Sequence, residues 1–346
     1  MTAGASTPAA DSEAIVHGGD IEAVRRRFPQ APEPWIDLST GINPHAYPFA
    51  LPSAEAWQRL PQASADAAAR LAAAKRYAAA DHETIVAAPG SQALIQIVPR
   101  LIEAADVAVI GPTYAEHAAA WARCGHRVRT VPSLADIGDA RVAVIVNPDN
   151  PTGRIVAADD LRHLADSLAQ RRGLLVVDEA FADFAAPGVS IVPRLPPATV
   201  VLRSFGKAYG LAGVRLGFAV THAEYARRLC RELGPWAVSG PALNIGAAAL
   251  RDPHWIEATR ERLTQDCRRI DALLAARGFA AVGGTDLFRL VAHAHAGEIA
   301  DALAAAGIHV RRFTEHVEWL RFGLPGSPAA WQRLEASLQR GSTSRD

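Results

Sequence analysis

Five short apolar runs, at 107–110, 142–146, 174–177, 199–203 and 216–220, recur through the middle of the chain, most of them separated by segments long enough for a helix. Apolar runs of strand length spaced by helical segments predict parallel strands joined by crossovers. The spacing therefore predicts an α/β fold, and in open sheets of that kind ligands gather beyond the C-terminal ends of the strands.

Polar signals sit at those ends. Val109-Ile110 is followed by Gly111-Pro112-Thr113-Tyr114, which offers an aromatic ring. Ile145-Val146 is followed by Asn147-Pro148-Asp149-Asn150-Pro151-Thr152-Gly153, a rigid turn presenting amides. Val176-Val177 leads into Asp178-Glu179-Ala180-Phe181, and Leu202-Arg203 into the stretch from Ser204 to Gly217. Taken singly, these are a core-edge tyrosine, a Pro/Asn turn and a capping carboxylate; in succession they point to a site. Upstream, Val86-Ala87-Ala88-Pro89 leads into Gly90-Ser91-Gln92 and a helix-like run to about Ile102. A small, donor-rich turn at a helix start suits a phosphate, because unpaired N–H groups and the helix dipole both point at it.

The stretch from Ser204 to Gly217 holds a lysine, Lys207, among four glycines, with Ser204 three residues before it and Arg215 eight after. Of 36 basic residues only Lys75 and Lys207 are lysine. Lys75 falls in an Ala/Arg-rich helix expected over 64–79 with Ser64 as N-cap, where a solvated side chain is ordinary. A lysine in a desolvated or cation-flanked pocket can lose its proton near neutral pH and condense with an aldehyde, whereas arginine stays protonated. Near the start, His17-Gly18-Gly19 pairs glycines that expose backbone N–H groups with a histidine that can donate as well, a setting for an anion.

At 346 residues and 49% hydrophobic content the chain can bury one large core or two modest ones. Its 36 acidic and 36 basic residues balance, so no field favours nucleic acid or an anionic membrane, and a small molecule is the expected partner. Cys124, Cys230 and Cys267 lie far apart, without the spacing of a zinc site or a disulfide framework. Residues 1–14 make a poor signal peptide and a plausible disordered tail, and no apolar run approaches the roughly 20 residues of a membrane helix. The expected location is the cytoplasm. Beyond Arg231 the texture changes: a charged helix over 254–278, strands around Gly283-Gly284, an Ala-rich helix over 296–306, and two arginine-bearing strands at 310–313 and 319–322. These predict a smaller α+β domain made of 15–44 and 236–346, beside a large domain over 45–235.

An aldehyde, a phosphate, a ring nitrogen and a phenolic oxygen would together use this set of residues, and pyridoxal 5'-phosphate has all four. A carboxylate facing the pyridine nitrogen keeps it protonated and makes the ring an electron sink; Asp178 is the candidate. The Asn-Pro-x-Asn-Pro-Thr-Gly motif at 147–153 and the Ser-x-x-Lys-x-x-Gly-x-x-x-x-Arg motif at 204–215 carry a specific resemblance. From about residue 17 onward the chain resembles the fold-type I, pyridoxal-phosphate-dependent aminotransferase family of classes I and II. The resemblance implies a large domain whose mostly parallel central sheet is sandwiched by helices. It implies that Lys207 takes the cofactor's aldehyde, Asp178 pairs with the pyridine nitrogen, Asn150 donates to the phenolic oxygen and Tyr114 stacks on the ring. Gly90, Ser91, Gln92, Ser204 and Arg215 would hold the phosphate, and Arg321 the substrate carboxylate.

Within that family the His17-Gly18-Gly19 start and the run from Trp35 to Pro44 resemble members acting on phosphorylated amines. The implied activity is decarboxylation of L-threonine O-3-phosphate to the phosphate ester of 1-amino-2-propanol in cobalamin biosynthesis, with transamination of histidinol phosphate as the alternative. His17, Gly18, Gly19 and Arg311 are the candidates for the second anion. Two departures stand out. Phe181 replaces a tyrosine that many relatives aim at the phenolic oxygen, and Leu60 replaces a tyrosine that reaches the neighbouring subunit's cofactor in the homodimer the family implies. A non-catalytic, DNA-binding regulator on this fold is disfavoured, since about 40 residues precede the large domain and the charge is neutral.

Overall fold

The computed structural model describes residues 17–340; the tail expected over residues 1–14 lies outside them. In chain order the strands are β1 (Ile36–Leu38), β2 (Ile85–Ala88), β3 (Asp106–Ile110), β4 (Arg127–Val131), β5 (Val142–Val146) and β6 (Leu174–Asp178). They continue with β7 (Thr199–Ser204), β8 (Gly217–Thr221), β9 (Ala280–Thr285), β10 (Phe288–Ala292), β11 (Ile308–Arg312) and β12 (Trp319–Gly323). The described residues build two sheets, one ordered β2-β8-β7-β6-β5-β3-β4 and one ordered β1-β11-β12-β10-β9.

In the larger sheet β4, β3, β5, β6 and β7 run parallel. All five residues of β5 and of β6 are buried. Continuous apolar sequence is what two-sided burial demands. Val142, Val144, Leu174 and Val176 face one apolar layer, while Ala143, Ile145, Leu175 and Val177 face the other. Successive side chains point to opposite faces of a strand, so one run serves both layers.

The five apolar runs correspond to β3, β5, β6, β7 and β8, but β8 departs from the parallel pattern. It runs antiparallel to β7, with Ser204 opposite Gly217, because the connection between them carries the lysine turn instead of a crossover helix. Two strands lack a clear signal in the sequence. β2 is four residues long and pairs antiparallel with β8. β4, with Arg127 and Arg129 at exposed positions, is an edge strand without an apolar run.

The helix expected from Ser64 spans Ala63–Tyr77, with Gln62 in the capping position and no side-chain cap. Ser64 lies inside it. The helix Gly240–Leu250 falls beyond the 235/236 boundary drawn from the sequence, yet it packs on Ala63–Tyr77. The facing residues of both are largely alanine, and the start of Gly240–Leu250 also abuts the short helix Ala54–Gln58, where a Cβ on Gly240 would lie 2.7 Å from the Ala56 carbonyl oxygen.

The smaller sheet takes a strand from each end of the chain. β1 pairs parallel with β11, Ile36 opposite Ile308. This pairing carries the segment after β1 onto the larger sheet, where the Asn43 N–H donates to the Lys207 carbonyl at 2.9 Å and the Asn43 amide to the Ala208 carbonyl at 2.8 Å. Among the described residues no helix is long and apolar enough to cross a membrane.

Candidate active site

A cavity of about 240 Å³ opens where the C-terminal ends of the parallel strands meet the smaller sheet. Its wall contains Gly90, Ser91, Gln92, Tyr114, Asn150, Asp178, Ser204, Lys207 and Arg215, so every residue assigned to the cofactor from the sequence lines one space. His17, Gly18 and Arg321 line it too. Gly19 and Arg311, also expected at the second anion, are not on the wall. The Gly19 N–H is already donated to Ser39 Oγ at 2.7 Å. Arg311 stands opposite Arg321 in the β11–β12 pair, with its guanidinium 5.5 Å from the Phe313 ring centroid.

Lys207 lies in a four-residue helical turn, Phe205–Ala208, directly after β7. Beneath it the Phe205, Tyr209 and Trp255 rings stack, with centroid separations of 4.5 Å and 5.4 Å. Burial first, then the Arg321 charge, lowers the lysine's pKa from 10.5 to about 8, while Asp178 opposes the shift. Its setting thus shifts this amine toward the deprotonation near neutrality expected from the sequence.

Asp178 closes β6 at the floor of the cavity. Its Oδ2 pairs with His117 Nε2 at 2.9 Å, and its Oδ1 accepts from the Ala180 N–H at 3.0 Å. Strand alternation turns the next residue away: Glu179 points to the opposite face, where it meets Arg203 at 2.7 Å. Arg203 also approaches Asp183 at 3.1 Å and lies over the Tyr77 ring at 4.2 Å. Thus Asp178 and Ser204 face the cavity while their chain neighbours form a buried ionic cluster behind it.

Asn150 and Arg321 act on each other. Arg321 Nη1 donates to the Asn150 side-chain oxygen, which leaves the Asn150 amide nitrogen as its donor to a ligand. Arg321 Nη2 donates to the Ser39 carbonyl at 2.7 Å. Burial, followed by the neighbouring Arg311 charge, lowers the Arg321 pKa to about 10, so this guanidinium gains from an incoming anion. The Tyr114 hydroxyl donates to Gln92 Oε1 at 3.1 Å. Burial, with help from Glu116 and Asp178, raises its pKa to about 12, which keeps the ring neutral.

Gly90 has φ +85° and stands at the start of the helix Ser91–Ile97. A Cβ there would lie 2.5 Å from Arg215 Nη2, so any side chain would displace the arginine from the turn. On Gly217 a Cβ would lie 2.4 Å from the Ser91 nitrogen. Arg215 itself adopts a left-handed backbone, φ +54°. A glycine-walled turn, a helix start, a serine and an arginine make an anion cradle. With a depressed lysine, a carboxylate and an amide donor on the same wall, the residues present fit pyridoxal phosphate.

Four contributors were not assigned to the site from the sequence. His117, three residues after Tyr114, is 1% exposed and orients Asp178. Glu116 gathers His17 at 3.1 Å through Oε1, and Gln92 and Gln96, each at 3.1 Å, through Oε2; these bonds with His17 and Arg123 outweigh burial and lower its pKa. Ser39 and Thr40 complete the wall. The placement of Glu116 and His117 side by side in the first turn of one helix, next to a tyrosine already suspected of a role, was the available signal.

A family model described as aminotransferase class I and II matches residues 34–336. A threonine-phosphate decarboxylase of Pseudomonas aeruginosa is 40% identical over 335 residues, covering 94% of this chain and 97% of that protein. Another, of Sinorhizobium sp., is 40% identical over 335 residues, covering 95% and 99%. Among solved structures, histidinol-phosphate aminotransferase from Sinorhizobium meliloti in complex with pyridoxal-5'-phosphate aligns with a TM-score of 0.76 at 21% identity, over 97% of this chain and 98% of that one. That likeness carries the fold: two sheets, the larger mostly parallel and flanked by helices. Matched by the family model over most of its length and similar to these relatives nearly end to end, the chain belongs to the class I and II aminotransferase family.

Proposed function

We propose that the protein is a pyridoxal-phosphate-dependent carboxy-lyase that decarboxylates L-threonine O-3-phosphate. The observation that carries this reading is the 40% identity, nearly end to end, with two threonine-phosphate decarboxylases. The cavity adds a physical reason: besides the residues that suit the cofactor it presents Arg321 and His17, two cationic or donor groups for a substrate with two anionic ends. Transamination of histidinol phosphate is the alternative, since it would use the same cofactor residues.

When bound, pyridoxal phosphate supplies an electron sink for the pair left when a bond at the substrate α-carbon breaks. The chain's residues do the rest. Gly90, Ser91, Gln92, Ser204 and Arg215 hold the phosphate. Asp178, fixed by His117, would pair with the ring nitrogen, and Asn150, fixed by Arg321, would donate to the phenolic oxygen. Tyr114 covers one side of the ring. Phe181 packs edge-on against Phe288 at 5.2 Å and offers no hydroxyl, so Asn150 bears the contact to that oxygen without a tyrosine beside it.

Arg321 takes the substrate carboxylate, and His17, with the Gly18 backbone, takes the phosphate. Gripping both ends fixes rotation about the α-carbon and so selects the bond that breaks. Lys207 would be the group placed to deliver a proton to the substrate α-carbon. The exposed Leu51, Trp57, Leu60 and Trp236 support a homodimer, since large apolar side chains on a surface mark contact regions.

Purified, cofactor-loaded protein is expected to release CO2 from L-threonine O-3-phosphate in amounts equal to substrate consumed, without 2-oxoglutarate. Turnover that requires 2-oxoglutarate and yields a 2-oxo acid would make it an aminotransferase. His17→Ala should raise KM for the phosphorylated substrate about tenfold while kcat stays within about twofold, the loss of one hydrogen bond to a charged group. An unchanged KM would remove His17 from the phosphate site.

The lysine's electrostatics set a pH dependence. Only the neutral amine attacks an aldehyde, and with a pKa lowered from 10.5 to about 8 the reactive fraction grows as pH rises through 8. Stopped-flow mixing of cofactor-free protein with pyridoxal phosphate should show attachment accelerating through this window and levelling off above about pH 9. A rate still climbing past pH 10 would mean that Lys207 reacts as an ordinary solvated lysine.

A further inference from the structure

Asp149 is a fully buried carboxylate with no part in the scheme above. It sits between two loops that each carry a residue of the cavity. Asn150 follows it directly, beyond β5; Tyr114 follows Thr113, beyond the neighbouring strand β3. The Thr113 hydroxyl donates to Asp149 Oδ1 at 2.6 Å. The Thr152 hydroxyl and N–H donate to Oδ2 at 2.5 Å and 3.2 Å. The backbone closes the same turn, from the Gly153 N–H to the Asp149 carbonyl and from the Asp149 N–H to the Arg154 carbonyl, each at 2.8 Å.

Burying a carboxylate is costly unless donors compensate it. Burial does raise the pKa of Asp149, against the opposing bonds from Thr113 and Thr152. A turn that needed only closing could use a neutral side chain, without desolvating a charge. What the carboxylate adds is a tie to the second loop. The turn is pressed from the other side as well: a Cβ on Gly283 would lie 1.9 Å from the Thr152 carbonyl oxygen, and one on Gly153 would lie 2.0 Å from that of Gly284. The backbone of β9 therefore rests on the Asn150 turn. Arg154 Nη1 donates to the Gly111 carbonyl at 3.3 Å, and Arg154 Nη2 approaches Asp149 Oδ1 at 4.0 Å. The Asp149–Thr113 bond joins the turn to the Tyr114 loop beside these contacts.

We propose that Asp149 and Thr113 are a positioning pair that fixes Asn150 and Tyr114 relative to one another, so that the hydrogen bond to the cofactor's phenolic oxygen and the stack on its ring are set together. This rests on the cofactor placement proposed above. Neither residue touches the cofactor; both act through their chain neighbours. Cutting the tie loosens two contacts at once.

Thr113→Val removes the hydroxyl at nearly constant shape, and Asp149→Asn keeps the size while removing the charge. The readouts are the pH midpoint of the bound cofactor's visible absorbance band, the cofactor dissociation constant, and thermal unfolding of the cofactor-free protein. A donor to the phenolic oxygen favours the deprotonated form, so both variants should move the midpoint to higher pH. Both should weaken cofactor binding about three- to tenfold. Asn150→Ala should move the midpoint the same way, and Thr113→Val should add little on that background, because the two act in series. Variants that lower thermal stability but keep the wild-type midpoint and dissociation constant would overturn the proposal, leaving the pair merely structural. If Asn150→Ala leaves the midpoint unmoved, the placement of Asn150 fails and the pair's role falls with it, an outcome distinguishable from failure of the tie alone.

Discussion

The withdrawal of one amine from water is the constraint on which this structure turns. Lys207 can serve an aldehyde only if its ammonium form is made expensive, and burial with nearby Arg321 does that. Both conditions depend on elements distant in sequence. The antiparallel return of β8 on β7 makes the turn that holds the lysine. Asn43, delivered by the pairing of β1 with β11, ties down the carbonyls of Lys207 and Ala208. Arg321 comes from β12. The smaller sheet thus shapes the lysine's setting as well as the cavity wall.

Behind the cavity the same strands carry the opposite charge pattern. Glu179 and Asp183 converge on Arg203 within the protein, and removing one partner of such a buried pair costs about 3–5 kcal/mol because the other charge is left alone. Period-two alternation makes this arrangement natural. A strand that aims Asp178 at a ligand must aim Glu179 away from it, and a strand that aims Ser204 inward must turn Arg203 outward. Each reactive residue at the floor of the cavity is thereby anchored by a neighbour that cannot easily move.

Much of the cavity was legible in the sequence because its residues stand at strand ends, where apolar runs stop abruptly at polar ones. Tyr114, Asn150, Asp178, Ser204 and Lys207 were found that way, and the structure gathers all five on one wall. The direction of β8 was not legible, since an apolar run has no polarity of its own and only the length and content of the connection distinguish a return from a crossover. β4 escaped because an edge strand needs no apolar face. The partners that fix the reactive groups were also hidden: His117 on Asp178, Glu116 on His17 and Thr113 on Asp149 are contacts between segments far apart in sequence, or side chains with no motif to announce them. Gly19 and Arg311 do not line the cavity, although the Arg311 charge acts on Tyr114 and Arg321, which do.

The most direct test exploits the fact that the chain has two lysines. Borohydride reduction of the cofactor-loaded protein makes a lysine–cofactor bond permanent, and peptide mapping by mass spectrometry then locates it. The account predicts one modified site, Lys207, in stoichiometric yield, with Lys75 unlabelled. Label on Lys75, or none on either lysine, would contradict it.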